Sequence, residues 1–381
     1  MSSCGCSLDD VEPGGHERRQ VFDIPEVPLE VTEHRCQVKT CPECGRENKA
    51  AFPEGVDAPV QYGIRVKSFV VYLLVYQLIP LKRACELIFD MYGHGVSQAT
   101  LVNTIRETHR ALKTAEEETR RRIIRAPVAC FDETCMRSEG KTRWLHVSST
   151  DSLTHYAVHQ KRGCVAMNEI GILPDFRGIA VHDGWKPYET YKDCTHALCN
   201  AHHLRELTFL FEEQRQDWAG EMNELLRDIY AACEDTRARG RKKLSKALKG
   251  KFEERYEQIL SRGMMANPLP EPPRNQPKKP GKVKKSKARN LLERLRDHKD
   301  EVLRFMYNFQ TPFDNNRAES DLRMAKLKQK ISGCFRTRDG AHAFCRIRGY
   351  ISTARKNQVP VIQALTDAFE GRPFISVRSE S

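Results

Sequence analysis

The feature that most constrains the fold is a change of hydrophobic period in the middle of the chain. Three successive runs have the length and composition of β-strands: Ala126 to Phe131, Arg143 to Ser148 and Tyr156 to Gln160. A short helical pattern near Met167 to Leu173 follows. It leads to a fourth strand-like run at Gly178 to His182, a candidate fifth at Ala197 to Asn200, and a helix from about His202.

A meander of three strands, a helix, a strand and a further helix predicts an α/β fold with a ribonuclease-H-like mixed sheet. Helical patterns flank this core. The predicted organisation is a zinc-ribbon-like segment at 1–50, a helical region at 51–122, a first core part at 123–204, a helical insertion at 205–305 with a basic loop at 274–289, a final core part at 306–372 and a tail at 373–381.

The helical region contains a candidate helix-turn-helix. Leu81 to Tyr92 reads as a helix, a Gly-His-Gly turn follows at 93–95, and Ser97 is placed to cap the next helix. Such pairs are also common packing units, so the pattern alone does not assign DNA-groove reading to them.

The charge of the chain favours a polyanionic partner. There are 63 Lys and Arg against 51 Asp and Glu, which gives a net charge of +12. Eight cations and no acids lie between Arg274 and Arg289; a solvated linker is the alternative interpretation of this loop. Nucleic acid is the leading candidate partner.

The apolar run Phe69 to Tyr76 ends at Gln77 and Pro80 and is too short to span a bilayer, so it predicts a buried helix. The amino terminus lacks the pattern of a signal peptide, so we expect the protein to stay inside the cell. In a reducing compartment, the 14 cysteines are expected to be core residues or metal ligands.

Cysteines near the amino terminus have the form of a zinc knuckle. Cys41 and Cys44 flank a tight turn that Gly45 permits, and a tetrahedral zinc site needs two further ligands. Cys4 is the leading third ligand because Gly5 follows it as Gly45 follows Cys44. The position three before Cys4 is Met1, so the remaining ligand is open among Cys6, Cys36, His16 and His34. A vestigial knuckle without metal is the alternative.

Two carboxylates follow apolar strands of the predicted core. Asp132 comes directly after Pro127 to Phe131, and Asp183 directly after Gly178 to His182. Acids at neighbouring strand ends can share divalent metal ions, and phosphodiester chemistry uses two such ions about 3.5–4 Å apart. Glu319 opens a later helix and is the candidate third acid, with Arg323 and Lys326 on the same face. The nearby acids Asp314 and Asp321 compete with it for this role.

These residues resemble the insertion sequence 66 family of bacterial transposases, which have a DDE catalytic triad. The resemblance is carried by Arg19-Gln-Val-Phe-Asp-Ile-Pro25 with the Cys41 knuckle, Phe131-Asp-Glu-Thr134, Val181 to Trp185 through Leu198 to Leu207, and Asp314 to Glu319 through Gly333-Cys-Phe-Arg336 and Ile351 to Arg355. It covers most of the chain.

The resemblance implies a DNA transposase that cuts and joins strands with two magnesium or manganese ions on Asp132, Asp183 and Glu319. It also implies a C-x-x-H element at Cys199 and His202. Zinc binding there with Cys194 or His196 is one interpretation, and packing with the histidine directed toward DNA or the metal site is another. The cations expected along the DNA path are Arg323, Lys326, Lys328, Lys330, Arg336, Arg338, Arg346, Arg348, Arg355 and Lys356, together with Lys282, Lys284, Lys285 and Lys287 of the loop.

The implied partners are double-stranded DNA, as element ends and target, and further copies of the chain on that DNA. Helper proteins of the same element are also implied as partners. The implied location is the bacterial cytoplasm, in association with the nucleoid, and no membrane is implied as a partner. Family members usually have a longer helical region before the knuckles, which predicts a shortened copy here. The alternatives are therefore an inactive remnant that only binds DNA, a ribonuclease-H-like nuclease that does not join strands, and a zinc hydrolase built on Cys199, His202 and His203.

Overall fold

A computed structural model describes residues 4–5, 7–26, 28–269 and 285–375. The chain divides into two compact units, Met1–Pro59 with Glu86–Gly95, and Val60–Cys85 with Val96–Ser381. The first unit contains a hairpin of β1 (Val38–Thr40) and β2 (Glu47–Lys49), which pair antiparallel. The Cys41 N–H donates to the Arg46 carbonyl at 2.9 Å and Gly45 has φ 69°, so the predicted knuckle is the turn of this hairpin.

Four helices precede the sheet. They are α1 (Ile64–Val71), which continues as a π-helical turn at Tyr72–Tyr76, α2 (Leu81–Tyr92), α3 (Gln98–Ala111) and α4 (Lys113–Arg125). The Ser97 hydroxyl accepts from the Thr100 N–H at 3.1 Å, so Ser97 caps α3 as predicted. Within the described residues no helix is long and apolar enough to cross a membrane. DNA-groove reading by α2 and α3 stays a prediction.

Five strands form one mixed sheet in the order β5-β4-β3-β6-β7. They are β3 (Val128–Ser138), β4 (Lys141–Ser149), β5 (Thr154–His159), β6 (Ile179–His182) and β7 (Thr195–Leu198), with α5 (Cys164–Ile170) after β5. β3, β4 and β5 are antiparallel neighbours, whereas β6 pairs parallel with β3 and β7 parallel with β6. All five predicted strands are present, but the first was predicted to end at Phe131 and instead continues to Ser138.

Gly178 lets β6 approach β3. A Cβ atom at this position would lie 2.4 Å from the Ala126 carbonyl oxygen and 2.6 Å from that of Pro127. Neither of these oxygens can move without shifting the chain that enters β3. The glycine thus allows the parallel pairing that sets Asp132 beside Asp183.

A helical segment follows β7. Its helices are α6 (Asn200–Gln214), α7 (Asp217–Ala238), α8 (Lys246–Ala266), α9 (Lys287–Asp297), α10 (Lys299–Val302) and α11 (Arg304–Tyr307). Buried leucines and aromatics such as Leu225, Tyr256 and Leu292 give it a core of its own. Lys282 and Lys284 of the predicted basic loop lie outside the described residues.

Three helices complete the chain: α12 (Asn316–Ser332), α13 (Arg338–Lys356) and α14 (Val361–Phe369). α12 packs on β3 and β4, and α13 packs on β5. Ala318, Leu322 and Ala325 are buried and form the apolar strip that the sequence predicted on α12. This packing holds the first turn of α12, with Glu319, over the middle of β3.

Candidate active site

The register between β3 and β6 places two acids side by side. Cys130 pairs with Val181, and Asp132 and Asp183 each lie two residues further along their strands. Because the strands are parallel, both side chains leave the sheet on the same face. β6 ends at His182 whereas β3 continues, so the prediction that Asp132 ends its strand was wrong. What ends next to Asp132 is the pairing of β3 with β6, whose last registered pair is Cys130 with Val181.

Glu319 completes the group from the first turn of α12. Asp132, Thr134, Glu319, Arg323 and Lys326 are among the residues that line an open cleft of about 280 Å³. Backbone N–H groups hold the two aspartates in place: Glu133 donates to Asp132 at 2.8 Å, and Trp185 donates to Asp183 at 2.9 Å. Asp183 is not one of the residues that line this cleft, but its strand register and the effect of its charge on Asp132 place it beside that aspartate. The three acids that the sequence singled out are therefore neighbours.

The electrostatics of the cleft favour a bound cation. Burial, supported by the charges of Glu133, Asp183 and Glu319 and opposed by the Glu133 N–H, raises the pKa of Asp132 to about 7. Gathered carboxylate oxygens are the ligands that magnesium and manganese prefer. The donor set fits such ions.

Glu133 is a buried acid that sequence reasoning missed. The Tyr188 hydroxyl donates to one of its oxygens at 2.5 Å and Arg162 Nε to the other at 2.9 Å. The Arg162 guanidinium lies over the rings of Trp185, at 3.9 Å, and Trp144, at 4.9 Å. The available signal was the acid pair in the run Phe131-Asp-Glu-Thr134, because adjacent strand residues face opposite sides.

Cys199 joins the strand end to the Glu319 helix. Its N–H donates to the His182 carbonyl at 2.9 Å, and its Sγ accepts from the Asn315 N–H at 3.1 Å. Asn315 in turn donates through Nδ2 to the Phe131 carbonyl at 2.8 Å. The start of α6, the start of α12 and the strand that carries Asp132 are thus tied together at one point.

His202 faces Glu319. Its Nδ1 lies 3.6 Å from Glu319 Oε1, an oxygen that also accepts from Arg205 Nη2 at 3.4 Å. The alternative zinc ligands that the sequence suggested, Cys194 and His196, do not join this group. His196 Nδ1 accepts from His182 Nε2, and His196 Nε2 donates to the Tyr191 carbonyl, both at 2.9 Å. The Gly184 N–H donates to His182 Nδ1, so the proton of the His182 ring is on Nε2, which donates to His196. Both nitrogens of His196 are therefore already in hydrogen bonds.

Several of the predicted DNA-path cations are at the surface. Arg323 and Lys326 line the cleft, and Lys326 Nζ donates to the Cys135 carbonyl at 2.6 Å. Lys328 is half-buried, and burial lowers its pKa. The exposed members of the set are Arg323, Lys330, Arg336, Arg338 and Arg355.

Three other members of that set are engaged inside the protein, and their assignment to the DNA path is corrected. Arg348 is 5% exposed and donates to the Val75 and Tyr76 carbonyls. Arg346 pairs with Glu116 at 2.7 Å, and Lys356 pairs with Asp321 at 3.1 Å. Their charges hold elements together.

Asp314 and Asp321, the alternatives to Glu319 as third acid, both make hydrogen bonds within the protein. Asp321 accepts from Ser149, Ser352 and Lys356, so it is the centre of a structural network under α13. Asp314 accepts from the Asn316 N–H at 3.0 Å, at the start of α12. Neither lines the cleft around Asp132.

Of the four loop lysines expected along the DNA path, the structure describes Lys285 and Lys287. Lys285 Nζ lies 2.5 Å from Glu293, and Lys287 Nζ lies over the Phe209 ring at 4.7 Å. Both side chains belong to exposed residues. Contact of this loop with DNA stays a prediction.

In the knuckle, backbone N–H groups of Cys44 and Glu43 lower the pKa of the Cys41 thiol, which favours the thiolate that binds zinc. The structure does not gather Cys4, Cys41 and Cys44 into a set of three ligand atoms within 4.8 Å, and Cys6 lies outside the described residues. Cys4 as a ligand stays a prediction.

Comparison with known families decides the relationship of the chain. Residues 59–343, which contain Asp132, Asp183 and Glu319, match the family described as Transposase IS66 family. The chain belongs to the IS66 family of transposases. Residues 2–45 match the zinc-finger binding domain of transposase IS66. No curated protein matches the chain. Membership of this transposase family supports DNA binding, and the zinc-finger match supports zinc binding by the first 45 residues.

Proposed function

We propose that this IS66 family transposase cleaves and joins DNA strands at Asp132, Asp183 and Glu319, in a two-metal DDE mechanism on a ribonuclease-H-like core. The observation that carries the proposal is the proximity of three carboxylates from β3, β6 and α12: Asp132 and Glu319 line one open cleft, and the charges of Asp183 and Glu319 both raise the pKa of Asp132. The sheet order supports the fold: three antiparallel strands are followed by two parallel strands that continue on the other side of the first.

Asp132, Asp183 and Glu319 would hold two magnesium or manganese ions, which would supply activation of the attacking oxygen and stabilisation of the leaving oxygen. The three carboxylates hold that charge, and the backbone N–H groups of Glu133 and Trp185 orient the two aspartates. Arg323 and Lys326 line the same cleft, where their charges would attract the phosphates of bound DNA. Assembly on paired element ends, with or without helper proteins, is part of this proposal.

The experiment incubates the purified chain with duplexes that carry the ends of its own element and a target plasmid, with magnesium or manganese. Wild type is expected to give nicked ends and joined products. Asp132→Asn, Asp183→Asn and Glu319→Gln are each expected to lose both products by at least about a hundredfold, because each removes a metal ligand. Binding of the duplex is expected to persist.

Asp314→Asn is the matched control. It removes a carboxylate five residues before Glu319, and Asn is as good a capping residue as Asp, so full activity is expected. Full cleavage by any of the three triad variants would remove that residue from the mechanism. Cleavage without joining would assign the chain to the nucleases.

A further inference from the structure

Three side chains with metal-binding atoms lie close together beside the cleft: the sulfur of Cys199, a ring nitrogen of His202 and a carboxylate oxygen of Glu319. Their ligand atoms all lie within 4.8 Å of one another, and no other set of three is so placed among the residues that the structure describes. The separation of 3.6 Å between His202 Nδ1 and Glu319 Oε1 is too long for a hydrogen bond. It is close to the edge of about 3.4 Å that separates two ligands of one tetrahedral zinc ion.

The nitrogen of His202 supplies a second, independent observation. Nδ1 is enclosed and has no hydrogen-bond partner, whereas buried ring nitrogens ordinarily have one. It is directed at the oxygen of Glu319, on the wall of the open cleft. A cation between the two atoms would give Nδ1 a partner and would share the Glu319 oxygen with Arg205.

The Cys199 sulfur is held in position by the backbone around it. Cys199 lies at the start of α6, where the helix favours negative charge, and the Asn315 N–H already donates to Sγ at 3.1 Å. Burial raises the pKa of the Cys199 thiol against these contacts, so the thiolate that binds a metal forms when the metal displaces the proton. The contact from Asn315 also fixes Cys199 relative to the helix that carries Glu319.

We propose that Cys199, His202 and Glu319 form a metal site for a thiophilic divalent cation of the zinc and cobalt class. Thiolate and imidazole ligands select these ions over magnesium, which binds oxygen ligands. Glu319 belongs to this site and to the carboxylate group, so an ion here holds the Glu319 side chain in place. The site itself does not depend on the proposed catalytic function.

The test uses cobalt as a spectroscopic probe on the full chain, in a background with Cys4, Cys6, Cys36, Cys41 and Cys44 replaced by Ser. This background removes every candidate cysteine ligand of the knuckle. We expect one cobalt ion per chain in equilibrium dialysis, with a near-ultraviolet thiolate-to-cobalt absorption band. Cys199→Ser is expected to abolish the band and weaken cobalt binding by at least about tenfold. His202→Gln is expected to weaken binding to a similar degree.

The variants are matched to separate ligation from folding. Serine is a preferred residue at a helix start, so Cys199→Ser is expected to fold. Cys194→Ser removes another buried cysteine, which directly precedes β7 whereas Cys199 directly follows it, and this variant is expected to keep the band. The proposal fails if the background chain shows no thiolate band. It also fails if Cys199→Ser and His202→Gln keep wild-type affinity, or if Cys194→Ser removes the band. No DNA enters this measurement, so loss of cleavage activity would count against the proposed function alone.

Discussion

Replacing Asp132 with Asn is expected to stabilise the metal-free protein at alkaline pH. Asp132 is a mostly buried acid whose pKa is raised from 3.8 to about 7 by burial and by the neighbouring acids. The folded protein therefore holds a proton that the unfolded chain releases near pH 4. Below pH 3.8 the two states bind this proton equally. As the pH rises from about 4 to about 7, folding stability is lost, and above pH 7 the loss is complete.

The size of the effect follows from the shift. About 3 pKa units at 1.36 kcal/mol each correspond to about 4 kcal/mol of stability lost above pH 7. Between pH 5 and pH 8, the remaining 2 units correspond to about 2–3 kcal/mol. Asp132→Asn lacks the titrating group, so its stability relative to wild type should increase by this amount from pH 5 to pH 8.

The assay is urea unfolding of wild type and variant at pH 5 and pH 8, with and without magnesium. Metal binding to the folded state should raise the stability of wild type at pH 8 by mass action, and that of Asp132→Asn much less. The control is Asp321→Asn, which leaves the Lys356 ammonium without its counter-charge. It should destabilise the protein at both pH values, on the order of 3 kcal/mol.

Two results would refute the reasoning. The first is the same pH dependence of stability in wild type and Asp132→Asn, which would show that Asp132 does not carry the shift. The second is a loss of stability in Asp132→Asn at pH 8 without metal. That sign is expected of an acid that caps a turn or pairs with a cation.

Three further predictions concern zinc and DNA. Cys41→Ser should lower the zinc content of the chain by one equivalent in elemental analysis, and tight zinc that survives Cys4→Ser would exclude Cys4 as a ligand. Arg348→Met should lower the melting temperature and leave the salt dependence of DNA binding unchanged, whereas Arg336→Gln should lower the slope of log affinity against log salt by roughly 0.9 with no thermal effect. Gln substitutions throughout the basic loop should weaken binding to all DNA sequences alike and lower the slope further; an unchanged slope would identify the loop as a linker. The positions are Lys282, Lys284, Lys285 and Lys287.

Local patterns were enough to predict much of the fold. The bounds of α2 at Leu81 and Tyr92 and the cap at Ser97 agree with the structure, because hydrophobic period and capping depend on neighbouring residues. β3 is different. Its second half, Asp132 to Ser138, has a polar sequence and is a strand because β4 pairs along its whole length, which no local pattern reveals.

The acids of the site were predictable for a similar reason, and the cations were not. An acid directly after a buried apolar run has few positions open to it, so Asp183 could be placed at the end of β6. Arg346 and Arg348 lie on α13, which packs on β5 and on α3. A helix covered on two sides turns some of its cations inward, and the charge count of a sequence does not distinguish these from surface cations.

Glu133 explains how four acids can lie so close together in the folded chain. In β3, the side chains of Phe131 and Glu133 share one face, and Phe131 packs with Tyr188 in the core. On that face, the Tyr188 hydroxyl donates to Glu133, and Arg162 supplies the counter-charge of Glu133. The rings of Trp144 and Trp185 hold Arg162 in place. The charge of Glu133 is therefore compensated within the protein, and that of Glu319 is compensated in part by Arg205. Asp132 and Asp183 are then the acids whose charge a bound cation would balance. Loss of Arg162 would leave Glu133 buried without a counter-charge beside Asp132 and raise the pKa of both.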